Sequence, residues 1–190
     1  MNKISWDEYF INICKVVSLR SVDENTKMGC VIVSPNNRIV STGYNGFPAG
    51  INDNNWPKER LEKHYIVKNN NTNEIMILDS IPEGYETPED RVRLGENKLT
   101  TFEEIGEVTK YDVMAHAELN AIIAAARPLQ GCKLYCLAYP CNECAKAVIT
   151  AGIHEVIYSE LKVNSCWDKP FIIAKKLFWE SGMKVRKYET

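Results

Sequence analysis

Alternation of strands and helices along the C-terminal third of this chain constrains its fold most strongly. Three apolar runs that favour strands alternate with two helical segments, at 133–137, 141–151, 155–159, 170–181 and 184–188. Gly152 and Gly182 follow the two helical segments, and glycine is the preferred residue after a helix end. Strands that alternate with helices in this order predict an α/β fold with helices on both faces of a sheet.

The N-terminal part of the chain adds a helix and a hairpin to this pattern. Ser5 and Glu8 form the S-x-x-E capping box that precedes a helix, and apolar residues then recur at helical spacing. Two strand-like runs, 28–33 and 38–44, flank a Ser-Pro-Asn-Asn turn, which predicts a β-hairpin. An alanine-rich helix is predicted over 115–127.

Residues 51–112 interrupt this regular pattern. They are polar, rich in Asn and Glu, and broken by prolines. Within them, 64–68 and 74–78 could form two strands around a turn at 69–73. We expect one domain over residues 1–190 that carries this segment as an insertion with some local structure. A disordered loop is the alternative.

Composition excludes several classes of partner. The chain has 23 basic and 25 acidic residues, a formal net charge of -2 and a pI near 6.0, so no broad positive field attracts nucleic acid or an anionic membrane. The longest apolar run, Ala121–Ala126, is too short to span a bilayer, and the N-terminal residues hold no signal-peptide core. We therefore expect a cytoplasmic protein whose cysteines are reduced, and either buried or bound to metal.

Two short motifs carry the residue types that hold metals. The first is His116-Ala117-Glu118, and the second is Pro140-Cys141-Asn142-Glu143-Cys144. Each is weak on its own, since His-x-Glu can simply begin a surface helix and Cys-x-x-Cys also occurs in redox dithiols and zinc ribbons. Together they fit one zinc site with an imidazole, two thiolates and a fourth position for water, which is the arrangement of catalytic zinc.

The placement of both motifs at predicted helix starts supports this interpretation. Free N–H groups and the positive end of the helix dipole favour thiolates at Cys141 and Cys144. Glu118 is too close in sequence to His116 to be a comfortable fourth ligand, and it can instead shuttle the proton of a zinc-activated water. H-x-E followed by P-C-x-x-C is the signature of zinc-dependent nucleobase deaminases.

Seven segments outside the insertion form a longer pattern, at 20–23, 29–33, 41–50, 116–122, 140–146, 151–153 and 155–158. The most specific parts are G-Y-N-G-F-P-A-G at 43–50 and P-C-N-E-C-A-K at 140–146. In these segments the chain resembles the deoxycytidylate deaminase family. The resemblance implies a cytidine deaminase-like fold, a three-layer α/β/α sandwich around a mixed five-stranded sheet.

The resemblance also implies an activity. Members of the family hydrolyse dCMP to dUMP and ammonia, which supplies dUMP for dTMP synthesis. The implied catalytic Zn²⁺ is held by His116, Cys141 and Cys144, with Glu118 as the residue that protonates N3 of the ring and then the departing amine.

Four further residues are implied as substrate contacts. The N–H of Ala117 would contact O2 of the ring, and the carbonyl near Tyr139 would accept from the amino group. Asn45 would hold the sugar or a base edge, although Asn before Gly46 is also a common turn residue. Arg20 is the candidate for the 5′-phosphate, although a solvated charge after a helix is the commoner fate of an arginine.

Regulation is implied by the same resemblance. Family members are typically homo-oligomers, usually hexamers, that dCTP activates and dTTP inhibits, with Mg²⁺ accompanying the triphosphate. Asn45 and Gly46 lie in the segment that resembles the effector-site loop. Arg127 could reach a nucleotide or a neighbouring subunit, and its plainer interpretation is a cation that complements a helix C-terminus.

Several alternatives stay open at this point. They are a related enzyme that acts on cytidine, 5-substituted dCMP or another nucleobase, a non-catalytic nucleotide-binding subunit, and a redox dithiol protein. A second, structural zinc is not expected, because residues 51–115 contain no cysteine and only one histidine, His64. The remaining cysteines are expected to be buried, inert thiols: Cys14, Cys30, Cys132, Cys136 and Cys166.

Overall fold

The computed structural model describes residues 3–80, 102–159 and 168–189. In chain order the elements are α1 (Trp6–Ser18), β1 (Gly29–Val33), β2 (Ile39–Tyr44), β3 (His64–Asn69), β4 (Ile75–Leu78), β5 (Phe102–Val108), α2 (Lys110–Val113), α3 (Ala117–Ala125), β6 (Lys133–Cys136), α4 (Asn142–Thr150), β7 (Glu155–Tyr158), α5 (Asp168–Glu180) and β8 (Lys184–Lys187). A short 3-10 helix, Asp53–Asn55, lies between β2 and β3. The chain divides into a main unit, Met1–Gly46 with Ala115–Thr190, and an insertion unit, Phe47–Met114.

A five-stranded sheet in the order β2-β1-β6-β7-β8 forms the centre of the main unit. Strand β1 pairs antiparallel with β2 and β6, whereas β6, β7 and β8 pair in parallel. Helices α4 and α5 connect the parallel strands, and both were expected from their glycine-terminated sequences. The predicted α/β fold with a mixed five-stranded sheet is confirmed.

Side chains that alternate along the strands build an apolar layer on each face of this sheet. In β1, Cys30 and Ile32 join a core with α3, α4 and α5, whereas Val31 and Val33 join a second core with α1. Every residue of β1 is buried, because a strand that is covered on both faces has no polar side. The main unit is therefore a three-layer α/β/α sandwich.

Helix α1 begins where the capping box predicts. The Ser5 side chain accepts a hydrogen bond from the backbone N–H of Glu8 at 3.1 Å, and such a cap contributes about 1 kcal/mol. Phe10, Ile11 and Cys14 form the buried face of the helix. Their spacing of one, three and four residues is the apolar stripe that the sequence pattern predicts.

Gly43 lets strand β2 and helix α3 approach each other closely. A Cβ atom at this position would lie 2.2 Å from the carbonyl oxygen of Ala117 and 2.4 Å from the amide nitrogen of Ala121. Any side chain would therefore push the helix away from the strand. This contact matters because α3 begins within the His116–Glu118 motif.

The insertion unit contains a three-stranded antiparallel sheet in the order β4-β3-β5. The strands predicted at 64–68 and 74–78 are confirmed as β3 and β4, so this part of the chain is not a disordered loop. Strand β5 was not predicted, because its sequence FEEIGEV mixes charged residues and a glycine. Pairing with β3 holds it in register, with His64 opposite Val108. The single-domain assignment stays a prediction.

The cysteines outside the motifs are buried where the structure describes them. Cys14, Cys30, Cys132 and Cys136 are free thiols in the interior, as expected, whereas Cys166 lies outside the described residues. Within residues 3–80, 102–159 and 168–189, every helix is too short or too polar to cross a membrane.

Candidate active site

Two helix N-termini meet at the carboxyl end of β6 and bring the two metal-binding motifs together. His116 is the N-cap residue of α3, and Cys141 is the N-cap residue of α4. Both residues have the extended backbone that is typical of an N-cap. Their side chains therefore lie at the helix end where backbone N–H groups have no partner within the helix. Cys144 follows in the first turn of α4 and is buried.

The three predicted ligand atoms converge on one point. His116 Nδ1 lies 3.3 Å from Cys141 Sγ and 3.3 Å from Cys144 Sγ, and all three atoms lie within 4.8 Å of one another. A tetrahedral zinc with Zn–S bonds of about 2.3 Å and Zn–N bonds of about 2.0 Å needs N···S separations of about 3.5 Å. One imidazole nitrogen and two sulfurs at this spacing fit a zinc ion.

Hydrogen bonds link the thiol and imidazole groups of this cluster and shift their pKa values. Hydrogen bonds from Cys144 and His116 lower the pKa of Cys141 to about 4. The hydrogen bond to Cys141, together with burial, raises the pKa of Cys144 far above that of a free thiol. Cys141 likewise raises the pKa of His116. The cluster thus presents one thiolate beside a second sulfur that a metal would deprotonate.

Glu118 lies in the first turn of α3 and faces the same cluster. Its Oε2 accepts a hydrogen bond from Cys144 Sγ at 3.5 Å. Loss of solvent raises the pKa of this carboxyl group, and the charge of His116 opposes that effect. A carboxyl group whose pKa is moved toward neutrality can both accept and donate a proton, which suits a proton shuttle.

A backbone strap, Tyr44–Gly46, is hydrogen-bonded to the chain immediately before His116. The N–H of Gly46 donates to the carbonyl of Ala115 at 3.1 Å, and the N–H of Ala115 donates back to Gly46 at 2.9 Å. Asn120, one turn along α3, donates through its side-chain amide to the carbonyl of Tyr44 at 2.8 Å. These bonds hold the G-Y-N-G segment beside the start of α3.

Asn45, predicted as a substrate or effector contact, is buried inside the main unit. Its Oδ1 accepts from the N–H of Met28 at 2.7 Å, and its Nδ2 donates to the carbonyl of Thr26 at 3.0 Å and to Asp23 Oδ2 at 3.3 Å. Sequence reasoning missed this network, although the R-S-V-D segment at 20–23 belongs to the same family pattern. The role of Asn45 toward a ligand stays a prediction.

Tyr139 stands between β6 and Cys141 and forms an aromatic cluster. Its ring contacts Tyr158, Phe171 and Phe178 edge-on, with centroid separations of 5.0, 6.1 and 6.0 Å. The cluster was not predicted, and its sequence signal is the pair of aromatic residues spaced two turns apart on α5. It ties the segment that carries Cys141 to α5.

The predicted arginines occupy different places. Arg20 is exposed just after α1. Arg127 is exposed beyond the C-terminal end of α3, whereas His116 stands at the N-terminal end. A nine-residue helix is about 14 Å long, so α3 keeps Arg127 away from the metal-binding cluster. Ala117, by contrast, is the buried first residue of α3.

Comparison with known proteins agrees with this arrangement. Residues 4–160 match the family model for the cytidine and deoxycytidylate deaminase zinc-binding region. Deoxycytidylate deaminases of Pongo abelii and Homo sapiens are 33% identical over 186 residues, which cover 97% of this chain and 80% of each relative.

A solved structure shows the same fold. The crystal structure of dCMP deaminase from the cyanophage S-TIM5, in complex with dCMP and dUMP, matches with a TM-score of 0.58 at 19% identity. The match covers 99% of this chain and 100% of that one. The family model matches most of the chain, and the relatives and the His116–Cys141–Cys144 cluster agree with it. The chain therefore belongs to the cytidine and deoxycytidylate deaminase family and is a hydrolase of the deaminase class.

Proposed function

We propose that this chain catalyses the hydrolytic deamination of dCMP to dUMP and ammonia. The main support for the proposal is that the ligand atoms of His116, Cys141 and Cys144 lie within 4.8 Å of one another. The Glu118 carboxylate accepts a hydrogen bond from Cys144 and so lies beside them. The names of the relatives support dCMP as the substrate, since two mammalian deoxycytidylate deaminases align with nearly the whole chain.

His116, Cys141 and Cys144 hold the metal in this proposal. When bound, zinc lowers the pKa of a water molecule toward neutrality and so supplies a nucleophile for hydrolysis. The two helix N-termini favour the thiolate ligands, and the hydrogen bonds of the Tyr44–Gly46 strap fix the backbone that precedes the imidazole ligand.

Glu118 moves the protons of the reaction. It takes a proton from the attacking water and delivers it to N3 of the cytosine ring, and it then takes the proton of the new C4 hydroxyl and delivers it to the departing amine. The C4–N4 bond breaks while the C4 carbonyl of uracil forms, so water is consumed and ammonia is released. In a desolvated site this positioned acid and base contributes about 10²–10⁴-fold to the rate.

Substrate contacts complete the proposal. The N–H of Ala117, at the positive end of α3, donates to O2 of the ring, and the carbonyl near Tyr139 accepts from the amino group. Asn45 lies near the sugar or a base edge, and the Arg20 guanidinium pairs with the 5′-phosphate. The aromatic cluster around Tyr139 supports the carbonyl role by fixing the loop before Cys141.

We extend the proposal to regulation and cellular role on the basis of the family resemblance. The protein is a cytoplasmic homo-oligomer, a hexamer, that dCTP activates with Mg²⁺ and dTTP inhibits. Asn45, Gly46 and Arg127 are the candidate effector contacts. The product dUMP supplies dTMP synthesis.

A comparison of substrates tests the proposed function. Zinc-loaded protein is assayed with dCMP, 5-methyl-dCMP, cytidine, dCTP and adenosine, and ammonia release is measured. We expect the highest kcat/KM with dCMP. Faster turnover of cytidine than of dCMP would contradict the proposed phosphate contact, and a metal-free chain that forms a Cys141–Cys144 disulfide would instead support a redox dithiol.

A further inference from the structure

A buried polar cluster, Ser21, Asp23 and Asn45, lies directly behind the Tyr44–Gly46 strap. These side chains belong to residues that are only 3%, 5% and 8% exposed, respectively. Burial of a polar group costs free energy unless the group is hydrogen-bonded, so the polar atoms of these three side chains need hydrogen-bond partners. The metal-binding and proton-shuttle residues do not include any of its members.

Asp23 is the centre of this cluster. Its Oδ1 accepts from the backbone N–H groups of Asn25 and Thr26 at 2.8 and 2.9 Å, which closes a turn. Its Oδ2 accepts from Asn45 Nδ2 at 3.3 Å. Ser21 Oγ accepts from the N–H of Asp23 at 3.2 Å and donates to the carbonyl of Asn45 at 2.8 Å.

These bonds fix the orientation of the Asn45 carboxamide. Both hydrogens of Nδ2 are used, one on Asp23 and one on the carbonyl of Thr26, and Oδ1 accepts from the N–H of Met28. A flipped amide would place its NH₂ against the N–H of Met28 and its oxygen against two acceptors. An amide oxygen has two lone pairs, so in this orientation Asn45 can offer a ligand one acceptor and no donor.

We propose that Asp23 is a positioning residue that sets the Asn45 carboxamide and the adjoining strap for substrate binding. The inference rests on the proposed function, because it assumes that the strap borders the dCMP site. Asp23 acts through the Asn45 carboxamide, whereas the metal ligands are held by the N-terminal ends of α3 and α4. Loss of this orientation therefore weakens substrate binding and leaves the zinc in place.

Exchange of donor and acceptor between the two side chains tests this inference. Asp23→Asn sets an NH₂ group against the NH₂ group of Asn45, and Asn45→Asp sets two carboxylates together. Each single variant is expected to raise KM for dCMP about tenfold or more, with kcat within about threefold and zinc content unchanged. The double variant restores one donor–acceptor pair and leaves the carbonyl of Thr26 without its donor, so KM is expected to recover in large part.

A control variant and a second readout make the test decisive. Asp79→Asn makes the same change at an exposed aspartate of the insertion unit and is expected to leave KM unchanged. Solvent exchange of the Asn45 side-chain NH₂ and of the Gly46 N–H, measured by NMR, is expected to be slow in the wild type and fast in Asp23→Asn.

Three results would overturn the inference. The first is an unchanged KM for dCMP in Asp23→Asn. The second is a double variant in which the KM effects of the two single variants add. The third is an Asp23→Asn variant whose only change is a lowered melting temperature. Absence of dCMP turnover by the wild-type protein would instead overturn the proposed function. In that case the exchange rates of the Asn45 and Gly46 protons still decide whether Asp23 orients the carboxamide.

Discussion

Replacement of Gly43 by alanine tests whether the close contact between β2 and α3 positions the proposed proton shuttle. The new Cβ would lie 2.2 Å from the carbonyl oxygen of Ala117, whereas ordinary contacts begin at 3.4 Å. Strand and helix must therefore separate by about 1.2 Å, since both clashing atoms belong to backbone. Overpacking of this kind costs about 1–3 kcal/mol of unfolding free energy.

The same displacement is expected to reach the catalytic chemistry. Ala117 is the residue between His116 and Glu118, so a shift of α3 moves both of their side chains. Misplacement of a reacting group by about 1 Å can lower the rate about 10²-fold. We therefore expect a loss of about 10²-fold in kcat/KM for dCMP, together with a lowered melting temperature.

Steady-state kinetics and thermal unfolding of the zinc-loaded protein provide the assay. Gly106→Ala in β5 is the matched control, because its Cβ would meet Ile66 Cδ1 at 3.6 Å, which is ordinary contact. This control is expected to keep kcat/KM. Wild-type kinetics and stability in Gly43→Ala would show instead that α3 can move without cost and that this contact does not position Glu118.

Three further outcomes follow from the structure. His116→Ala is expected to lose bound zinc as well as turnover, and about one zinc per chain measured in the purified variant would contradict the ligand role. Burial raises the pKa of Asp7, but bonds from Arg186 at 2.7 Å and Tyr135 at 2.9 Å lower it overall. Asp7→Asn keeps an acceptor for Tyr135 and loses the charge that pairs with the partly exposed Arg186, so it should cost about 1 kcal/mol at pH 7. A carboxyl group whose pKa is lower in the folded state stabilises the fold at pH values above its unfolded-state pKa, and this stabilisation is lost as pH falls through its folded-state pKa. The free energies of unfolding of wild type and Asp7→Asn should therefore converge as pH falls below about 4. A difference that stays constant with pH would contradict this expectation. Sigmoidal saturation by dCMP that dCTP makes hyperbolic is expected, and kinetics indifferent to dCTP and dTTP would contradict the proposed regulation.

The main sheet could be predicted because its sequence is locally consistent. Gly152 and Gly182 adopt positive φ angles of 74° and 69° at the ends of α4 and α5, so helix ends and strand starts are marked in the chain itself. Strand β5 lacks such a pattern, and only its register against β3 makes it a strand. A pairing partner distant in sequence is not visible in local composition.

The metal-binding cluster could be predicted for a related reason. The motifs carry their ligands at helix starts, and the geometry of an N-cap and a first turn then brings His116, Cys141 and Cys144 together. The orientation of Asn45 could not be predicted, because it depends on Asp23 and on backbone groups that only the folded chain places around it. The tertiary structure decides which of these groups donates to the Asn45 carboxamide and which accepts from it.

In the proposed reaction this chain deaminates dCMP at the cluster beside Glu118. The most direct test measures dUMP and ammonia formation by the zinc-loaded wild type and by Glu118→Gln, with the zinc content of both determined. We predict equal amounts of dUMP and ammonia from the wild type, and a rate about 10²–10⁴-fold lower in Glu118→Gln at about one zinc per chain. A wild-type rate in Glu118→Gln would contradict the proton-shuttle role, and a zinc-loaded wild type that forms no dUMP would contradict the proposed reaction.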